Sequence, residues 1–342
     1  MTESRPDGVA VIVPNFNKEK VLRACLESVY AQTHPPAEVV VVDDRSTDRS
    51  PEIAREFVTE FAPPCKLIEL PVNRGPSAAR NAGVAASTAP LLFFVDSDTA
   101  LEPDAIENAV RVLRETPDCG MVQGIYHPEP LFDDGPVEAY RVAFEYFWRR
   151  RSVGRRTATL FTASLVTREA FDATGGLDEC LRHGDGEDAE FGTRLPERYR
   201  LVVTDTVLTR HDDVDRFWPF LREQWRFATR TPMLMRKVWR RRNAGAGMRV
   251  HAMSPTGLAL SGLSLLTLPF VAAVPSLALV WLALLIGSTA ASHDFLRYAY
   301  RFRGAGFAAF TVGMHTVLYA VAVLGTGIGA LRVGYAAIRG IR

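Results

Sequence analysis

The stretch V-V-V-V-D-D-R-S-T-D, residues 39 to 48, joins four consecutive valines to an abrupt run of polar and charged residues. A short apolar run of β-branched residues, bounded by turn-forming residues, is the mark of a strand buried on both faces. Such strands belong to parallel sheets covered by helices. Working outward, Val9 to Val13, Lys66 to Leu70 and Leu91 to Asp96 predict three more strands, with Met121 to Tyr126 as a candidate fifth. Between them Val21, Leu22, Cys25, Leu26 and Val29 recur at helical spacing. Ser50 followed by Pro51 offers an N-cap and a first-turn proline for a second helix. Residues 103 to 116 form a third amphipathic segment, opened by Pro103 and closed before Pro117. The alternation predicts an α/β fold with a doubly wound, mostly parallel sheet.

In open α/β sheets ligands bind beyond the carboxyl ends of the strands. Here those positions read Pro14-Asn15-Phe16-Asn17, Asp43-Asp44-Arg45-Ser46, Asn73-Arg74-Gly75 and Asp96-Ser97-Asp98. Any one of them is an ordinary solvated loop; four along one edge predict a binding site.

The ordered set P-N-F-N-K-E (14 to 19), V-D-D-R-S-T-D (42 to 48), N-R-G-P-S-A-A-R-N-A-G (73 to 83), D-S-D (96 to 98), G-G-L-D-E (175 to 179) and G-E-D-A-E-F (186 to 191) resembles the family 2 glycosyltransferases of the GT-A fold, over roughly residues 8 to 230. The resemblance implies a Rossmann-like catalytic domain that moves a sugar from a UDP-, GDP- or dTDP-sugar with the help of Mg²⁺ or Mn²⁺. A sugar leaves a nucleoside diphosphate only if the developing negative charge is neutralised, and a divalent cation with oxygen ligands does this. Asp96 and Asp98 follow a strand rich in Leu and Phe, where two carboxylates are costly without such a cation. By the resemblance Asp98 binds the metal, Asp96 lies by the ribose, and His211 in T-R-H-D-D stands where some relatives supply a further metal ligand. Asp43 and Asp44 leave the valine strand where a carboxylate can accept a hydrogen bond from a base imide, and in the family this pair sits against the nucleobase. Pro14, Phe16, Asn17, Arg74 and Gly75 complete the expected nucleotide-sugar site. Arg80 and Asn81 are expected to open a helix whose amides and guanidinium suit a diphosphate.

Inversion at the anomeric carbon needs one base opposite the leaving group. The family places it in the E-D pair, so Asp188 is the expected catalytic base and Glu187 its acceptor-side neighbour, with Gly184 and Gly186 keeping the loop permissive. Processive synthases of this kind carry Q-x-x-R-W, whereas this chain has Gln224-Trp225-Arg226. A single transfer is expected, with Gln224 and Arg226 on the acceptor side.

The chain has 342 residues and a formal net charge of +1, which excludes a polyanionic partner such as nucleic acid. Charge is concentrated before Arg249, and residues 254 to 292 contain no Asp, Glu, Lys or Arg. A helix over that stretch would run about 58 Å, nearly twice the roughly 30 Å hydrocarbon core of a bilayer. A break at Pro275 predicts a hairpin of residues 256–274 and 276–292, followed by a third helix over 306–331 containing Gly313, Gly325, Gly327 and Gly329. The expected division is a catalytic domain over 1–235, a basic linker over 236–253 and an all-α membrane region over 254–342. Arg236, Lys237, Arg240, Arg241, Arg242 and Arg249 flank the first crossing, and no basic start with an apolar run opens the chain. A multi-pass protein of the cytoplasmic membrane, with its catalytic side in the cytoplasm and its acceptor a lipid-linked or cell-envelope glycan among membrane lipids, is therefore expected. Cys25, Cys65, Cys119 and Cys180 form no C-x-x-C pair, so they read as reduced fillers. Two other readings stay open: a sugar nucleotidylyltransferase, and a non-catalytic membrane module that retains the fold.

Overall fold

The computed structural model describes residues 8–61, 63, 65–154, 161–181, 186–240 and 254–338, without the side chains of 234–240. In chain order the elements begin β1 (Val9–Asn15), α1 (Leu22–Tyr30), β2 (Glu38–Asp43), α2 (Ser50–Glu60), β3 (Cys65–Glu69) and α3 (Pro76–Ala85). They continue with β4 (Leu91–Val95), β5 (Thr99–Leu101), α4 (Ala105–Glu115), β6 (Cys119–Tyr126), α5 (Pro136–Arg150) and β7 (Ala163–Thr167). The remainder are α6 (Arg168–Thr174), α7 (Glu187–Arg194), β8 (Arg200–His211), α8 (Phe217–Arg240), α9 (Pro255–Val271), α10 (Leu277–Ala290) and α11 (His293–Ile338).

The chain divides into two compact units, one from the described parts of Met1–Asp133 and Trp148–Asp213, the other from those of Asp134–Phe147, Val214–Ala244 and Arg249–Arg342. Residues 134–147 and 214–235, expected with the sheet, thus pack with the apolar helices.

The first unit is an eight-stranded sheet in the order β3-β2-β1-β4-β7-β6-β8-β5. The run β3-β2-β1-β4 is parallel throughout, and β6 and β8 are also parallel. β7 is antiparallel to both β4 and β6, and β5 to β8. All five strands expected from the sequence are present. β5, β7 and β8 had no such signal, because β5 has three residues and β8 interleaves Arg, Asp and Thr with its apolar positions. Alternation along β1 explains the two-sided core: Val9, Val11 and Val13 face Leu22, Leu26, Phe57 and Ile106 in one fully buried cluster. Ala10 and Ile12 join Ala79, Phe171 and Phe191 in the other.

One expected cap is corrected. The residue before α2 is Arg49, and Ser50 is the first helical residue. The Ser50 hydroxyl is fully buried and accepts the Lys18 N–H at 2.9 Å, while Asp48 accepts the Ser50 N–H. A long-range partner has displaced the local capping role.

In the second unit α9 and α10 form the expected pair around Pro275, but at 17 and 14 residues they measure only about 26 and 21 Å. The expected third helix lies within α11, whose 46 residues are broken at Gly304 (φ +82°). Among the described residues α11 is the one helix long and apolar enough to cross a membrane. Of the four glycines expected at close contacts, two serve. A Cβ at Gly325 would lie 2.6 Å from the Ala228 Cβ, and one at Gly329 would run into the Thr229 carbonyl oxygen, so α8 and α11 approach through this stripe. Gly313 and Gly327 have open space because they lie off that face.

Gly329→Leu is expected to destabilise the purified chain by about 1–3 kcal/mol of overpacking, read as a lower thermal unfolding midpoint. Gly327→Leu, with nothing within 4 Å of its Cβ, is the matched control expected to melt like the wild type.

Candidate active site

The site lies at the carboxyl ends of β1, β2 and β4 and the start of α7, all within the first unit. Arg80, on α3, is its centre. The helix begins at Pro76, so Arg80 sits in its interior and does not open it as the sequence reading expected. Its side chain is only 5% exposed. One guanidinium nitrogen donates to Asp96 Oδ1 at 2.7 Å and the other to Asp188 Oδ1 at 3.2 Å. The same group lies 5.4 Å from the centre of the Phe161 ring. A buried guanidinium is tolerated only with such partners, and losing one would leave an uncompensated charge costing several kcal/mol. Arg80 therefore ties the end of β4 to the first turn of α7.

Asp188 is held there by a helix start that requires Gly186, the N-cap, at φ +84°. Gly184 lies outside the described residues. Burial, together with the Glu187 and Asp96 charges, outweighs the Arg80 cation and holds the Asp188 carboxyl up to about 6. Its Oδ2 also accepts the Phe161 N–H at 3.4 Å. Glu187 is buried beside it.

Two residues beyond Asp96, Asp98 Oδ2 accepts a 2.7 Å hydrogen bond from Lys18 Nζ, and Oδ1 lies 3.6 Å from His211 Nε2. His211 Nδ1 is 3.2 Å from Asp213 Oδ2, and its ring stacks on Tyr126 with centroids 4.8 Å apart. Burial works to raise the Asp98 carboxyl, but His211 and Lys18 hold it well below the usual carboxylate range. Burial likewise opposes charge on His211, yet Tyr126, Asp98 and Asp213 raise it well above its usual value.

The fit of these residues to a divalent cation rests on the two facing donors. Asp98 Oδ1 and His211 Nε2 are closer together than two metal–ligand bonds of roughly 2.1 Å laid end to end. The carboxylate behind His211 is the usual support for a ligating imidazole. Among the described residues no group of three or more His, Cys, Asp or Glu converges on one point, so most ligands would have to come from substrate and water. That suits Mg²⁺ or Mn²⁺, which commonly pair one or two protein groups with phosphate oxygens.

The Asp43-Asp44 pair has a different character. Both side chains are 3% exposed. Asp43 accepts from Asn15 Nδ2 and from the Ser46 N–H, both at 2.9 Å. Asp44 accepts the Arg74 and Gly75 N–H groups, each at 2.7 Å. Burial nonetheless raises the Asp44 carboxyl above its usual value. The oxygens expected to meet a base thus also clamp the loops around it. Pro14 is buried behind this clamp, Phe16 is 45% exposed, and Asn17 accepts the Thr47 N–H. Arg74 pairs with Glu179, and Asn81 donates to the Leu177 carbonyl and accepts the Leu177 N–H. Asn81 therefore fixes the G-G-L-D-E loop and does not point to a diphosphate. Gln224 and Arg226 lie on α8 in the second unit, with Arg226 exposed. Lys18 and Tyr126 were not singled out from the sequence, although Lys18 stands inside the P-N-F-N-K-E motif.

The sheet order and its acidic rim define a GT-A type α/β domain. Residues 10–172 match the family model "Glycosyl transferase family 2". Glycosyltransferase GlyA of Streptococcus pneumoniae is 43% identical over 109 residues, covering 32% of this chain and 15% of that protein. Glycosyltransferase AglE of Haloferax volcanii is 29% identical over 230 residues, covering 66% of this chain and 73% of that one. The mannosyltransferase PcManGT of Pyrobaculum calidifontis, solved with GDP-Man and Mn²⁺, shares the fold at a TM-score of 0.55 and 22% identity, over 98% of this chain and 87% of its own.

An Asp188 carboxyl held up to about 6, against an ordinary value near 3.9, binds its proton more tightly folded than unfolded. Between those values the folded chain carries more proton, so this group's contribution to stability is greatest on the acid side and declines as pH rises through about 6. Melting temperatures from pH 4 to 8 are expected to show that decline, and Asp188→Asn to flatten it.

Proposed function

We propose that the chain is an inverting, metal-dependent glycosyltransferase that moves a single sugar from a nucleotide-sugar donor to a membrane-proximal acceptor, a lipid-linked or cell-envelope glycan. The observation that carries this reading is the Arg80 bridge, whose two terminal guanidinium nitrogens hold the carboxylate just after β4 and the carboxylate in the first turn of α7. A donor whose ribose lies by Asp96 and whose diphosphate lies by Asp98 would then present its anomeric carbon towards Asp188.

Asp188 is the catalytic base of this reading. Its carboxylate accepts the proton of the acceptor hydroxyl while that oxygen bonds to the anomeric carbon, and the bond from the same carbon to the diphosphate oxygen breaks from the opposite face. A base near pH 6 is ionised at neutral pH yet strong enough to take the proton. Glu187 lies on the acceptor side. Asp98 and His211 would hold Mg²⁺ or Mn²⁺, which when bound neutralises charge on the diphosphate. Asp43 and Asp44, with the loops they clamp, line the nucleoside pocket together with Pro14, Phe16, Asn17, Arg74 and Gly75. Arg80 orients both carboxylates.

Attachment to a membrane is supported by α11 and by outward apolar side chains: Leu266, Phe270, Leu279 and Ile286 are 69, 61, 75 and 60% exposed. Hydrocarbon, not water, is the natural solvent for such a surface. The nucleotidylyltransferase alternative needs free amides after β1 to cradle phosphates. Here the N–H groups of Asn17, Lys18 and Glu19 are already bonded to Ser46, Ser50 and Asp48 side chains.

Transfer should be assayed with the purified full chain against a panel of UDP-, GDP- and dTDP-sugars. Asp188→Asn is expected to lose on the order of 10²–10⁴ in kcat/KM, and the wild-type value to rise with pH through about 6 as the base ionises. Undiminished transfer by the variant would remove Asp188 from its role. Separately, Mn²⁺ with the cognate donor is expected to raise the melting temperature of the wild type, while Asp98→Ala shows the shift with neither Mg²⁺ nor Mn²⁺.

A further inference from the structure

Helix α8 has two unlike faces within the second unit. On one, Phe220, Ala228 and Thr231 are buried. Glu223 on this helix is engaged by Arg141 through two hydrogen bonds of 2.8 and 2.9 Å, with the Arg141 guanidinium 5.3 Å from the Phe220 ring. The other face carries Trp218, Arg222, Trp225 and Arg226, spaced at helical intervals of four, three and one. Trp218 is 68% exposed and Trp225 is 37% exposed, and both arginines are exposed. Neither arginine has an ion pair among the described residues, because the nearest acid in sequence, Glu223, is taken by Arg141.

These four residues, with Leu221 and with Val321 of α11, line an open groove of about 820 Å³. The volume is in the range that accommodates a small organic ligand. Its chemistry is mixed in a particular way. Two indoles and two guanidinium groups stand on α8, and one wall is an aliphatic side chain of the helix suited to crossing a membrane. Indoles settle where hydrocarbon meets water, and guanidinium groups bind phosphate oxygens through paired N–H donors. A free anion would satisfy the arginines but leave the indoles and Val321 against water. A neutral lipid would satisfy the apolar wall but leave two unpaired cations in the groove. A phosphate carried on a hydrocarbon chain satisfies both.

We propose that this groove binds the phosphate headgroup of an anionic membrane lipid, Arg222 and Arg226 holding the phosphate and Trp218, Trp225 and Val321 receiving the start of its chain. The inference rests on the membrane reading of α11 and is independent of the transfer chemistry at Asp188.

Native mass spectrometry of the detergent-purified full chain tests it, with dioleoyl phosphatidate, dioleoyl phosphatidylcholine and inorganic phosphate as the probes. Phosphatidate is expected to remain bound at least tenfold more than either of the others, and Arg222→Gln with Arg226→Gln to cut that excess about tenfold, or about 1.4 kcal/mol. The double lysine variant is expected to keep part of it, and Trp218→Ala with Trp225→Ala to weaken phosphatidate retention without creating phosphate binding. Far-ultraviolet circular dichroism that matches the wild type shows that each variant is folded. Equal retention of phosphatidate and phosphatidylcholine, retention unchanged in the glutamine variant, or equal binding of inorganic phosphate each overturns the proposal. If instead the chain is soluble without detergent and retains none of the lipids, the membrane reading itself has failed.

Discussion

A guanidinium with 5% of its side chain exposed cannot remain charged without anions placed around it, and the first unit is arranged to supply them. Arg80 projects from α3 between Asp96, which follows β4, and the first turn of α7, with the Phe161 ring beside it. Each partner comes from a different segment, so this one side chain ties the start of α7 to the end of β4, while Phe191 anchors the same helix in the core. The exchange is unequal. Asp188 shares the cation with Asp96 and stands beside Glu187, so burial and like charge still hold it up to about 6.

The acidic residues along the carboxyl edge of the sheet divide by what their oxygens do. Asp43, Asp44 and Asp48 accept backbone N–H groups from neighbouring loops, and the geometry of the rim follows from those bonds. Asp96, Asp98 and Asp188 face cations: the guanidinium of Arg80, the ammonium of Lys18 and the imidazole of His211. Carboxylates of the first kind build the cleft and those of the second kind set its charge. The resemblance to a family assigns Asp43, Asp44, Asp96 and Asp98 to ligands, and the structure adds that Asp43 and Asp44 also support the fold.

The second unit follows a different logic because its elements have no sheet to lie on. Small residues at Ala228, Gly325 and Gly329 let α8 and α11 come close, and a 2.8 Å hydrogen bond between the buried Tyr140 hydroxyl and His315 Nδ1 ties α5 to α11. Apolar side chains on α9 and α10 point outward.

Sequence alone determined the α/β class, the five strands with strong apolar runs and the run of polar and acidic residues at their carboxyl ends. Those signals are local: a valine run, a proline at a helix start, two carboxylates after a strand. It also located the apolar segments, though not their lengths as helices. What it could not carry were relations between residues far apart. β7 and β8 owe their place to antiparallel and parallel partners 41 to 112 residues away, and their mixed composition has no period to reveal it. Ser50 reads as a cap but binds Lys18, and Arg80 reads as a phosphate ligand but holds two aspartates 16 and 108 positions distant. Only the tertiary structure decided these roles, because burial fixes which of a side chain's several possible partners it must satisfy, and burial is a property of the whole fold.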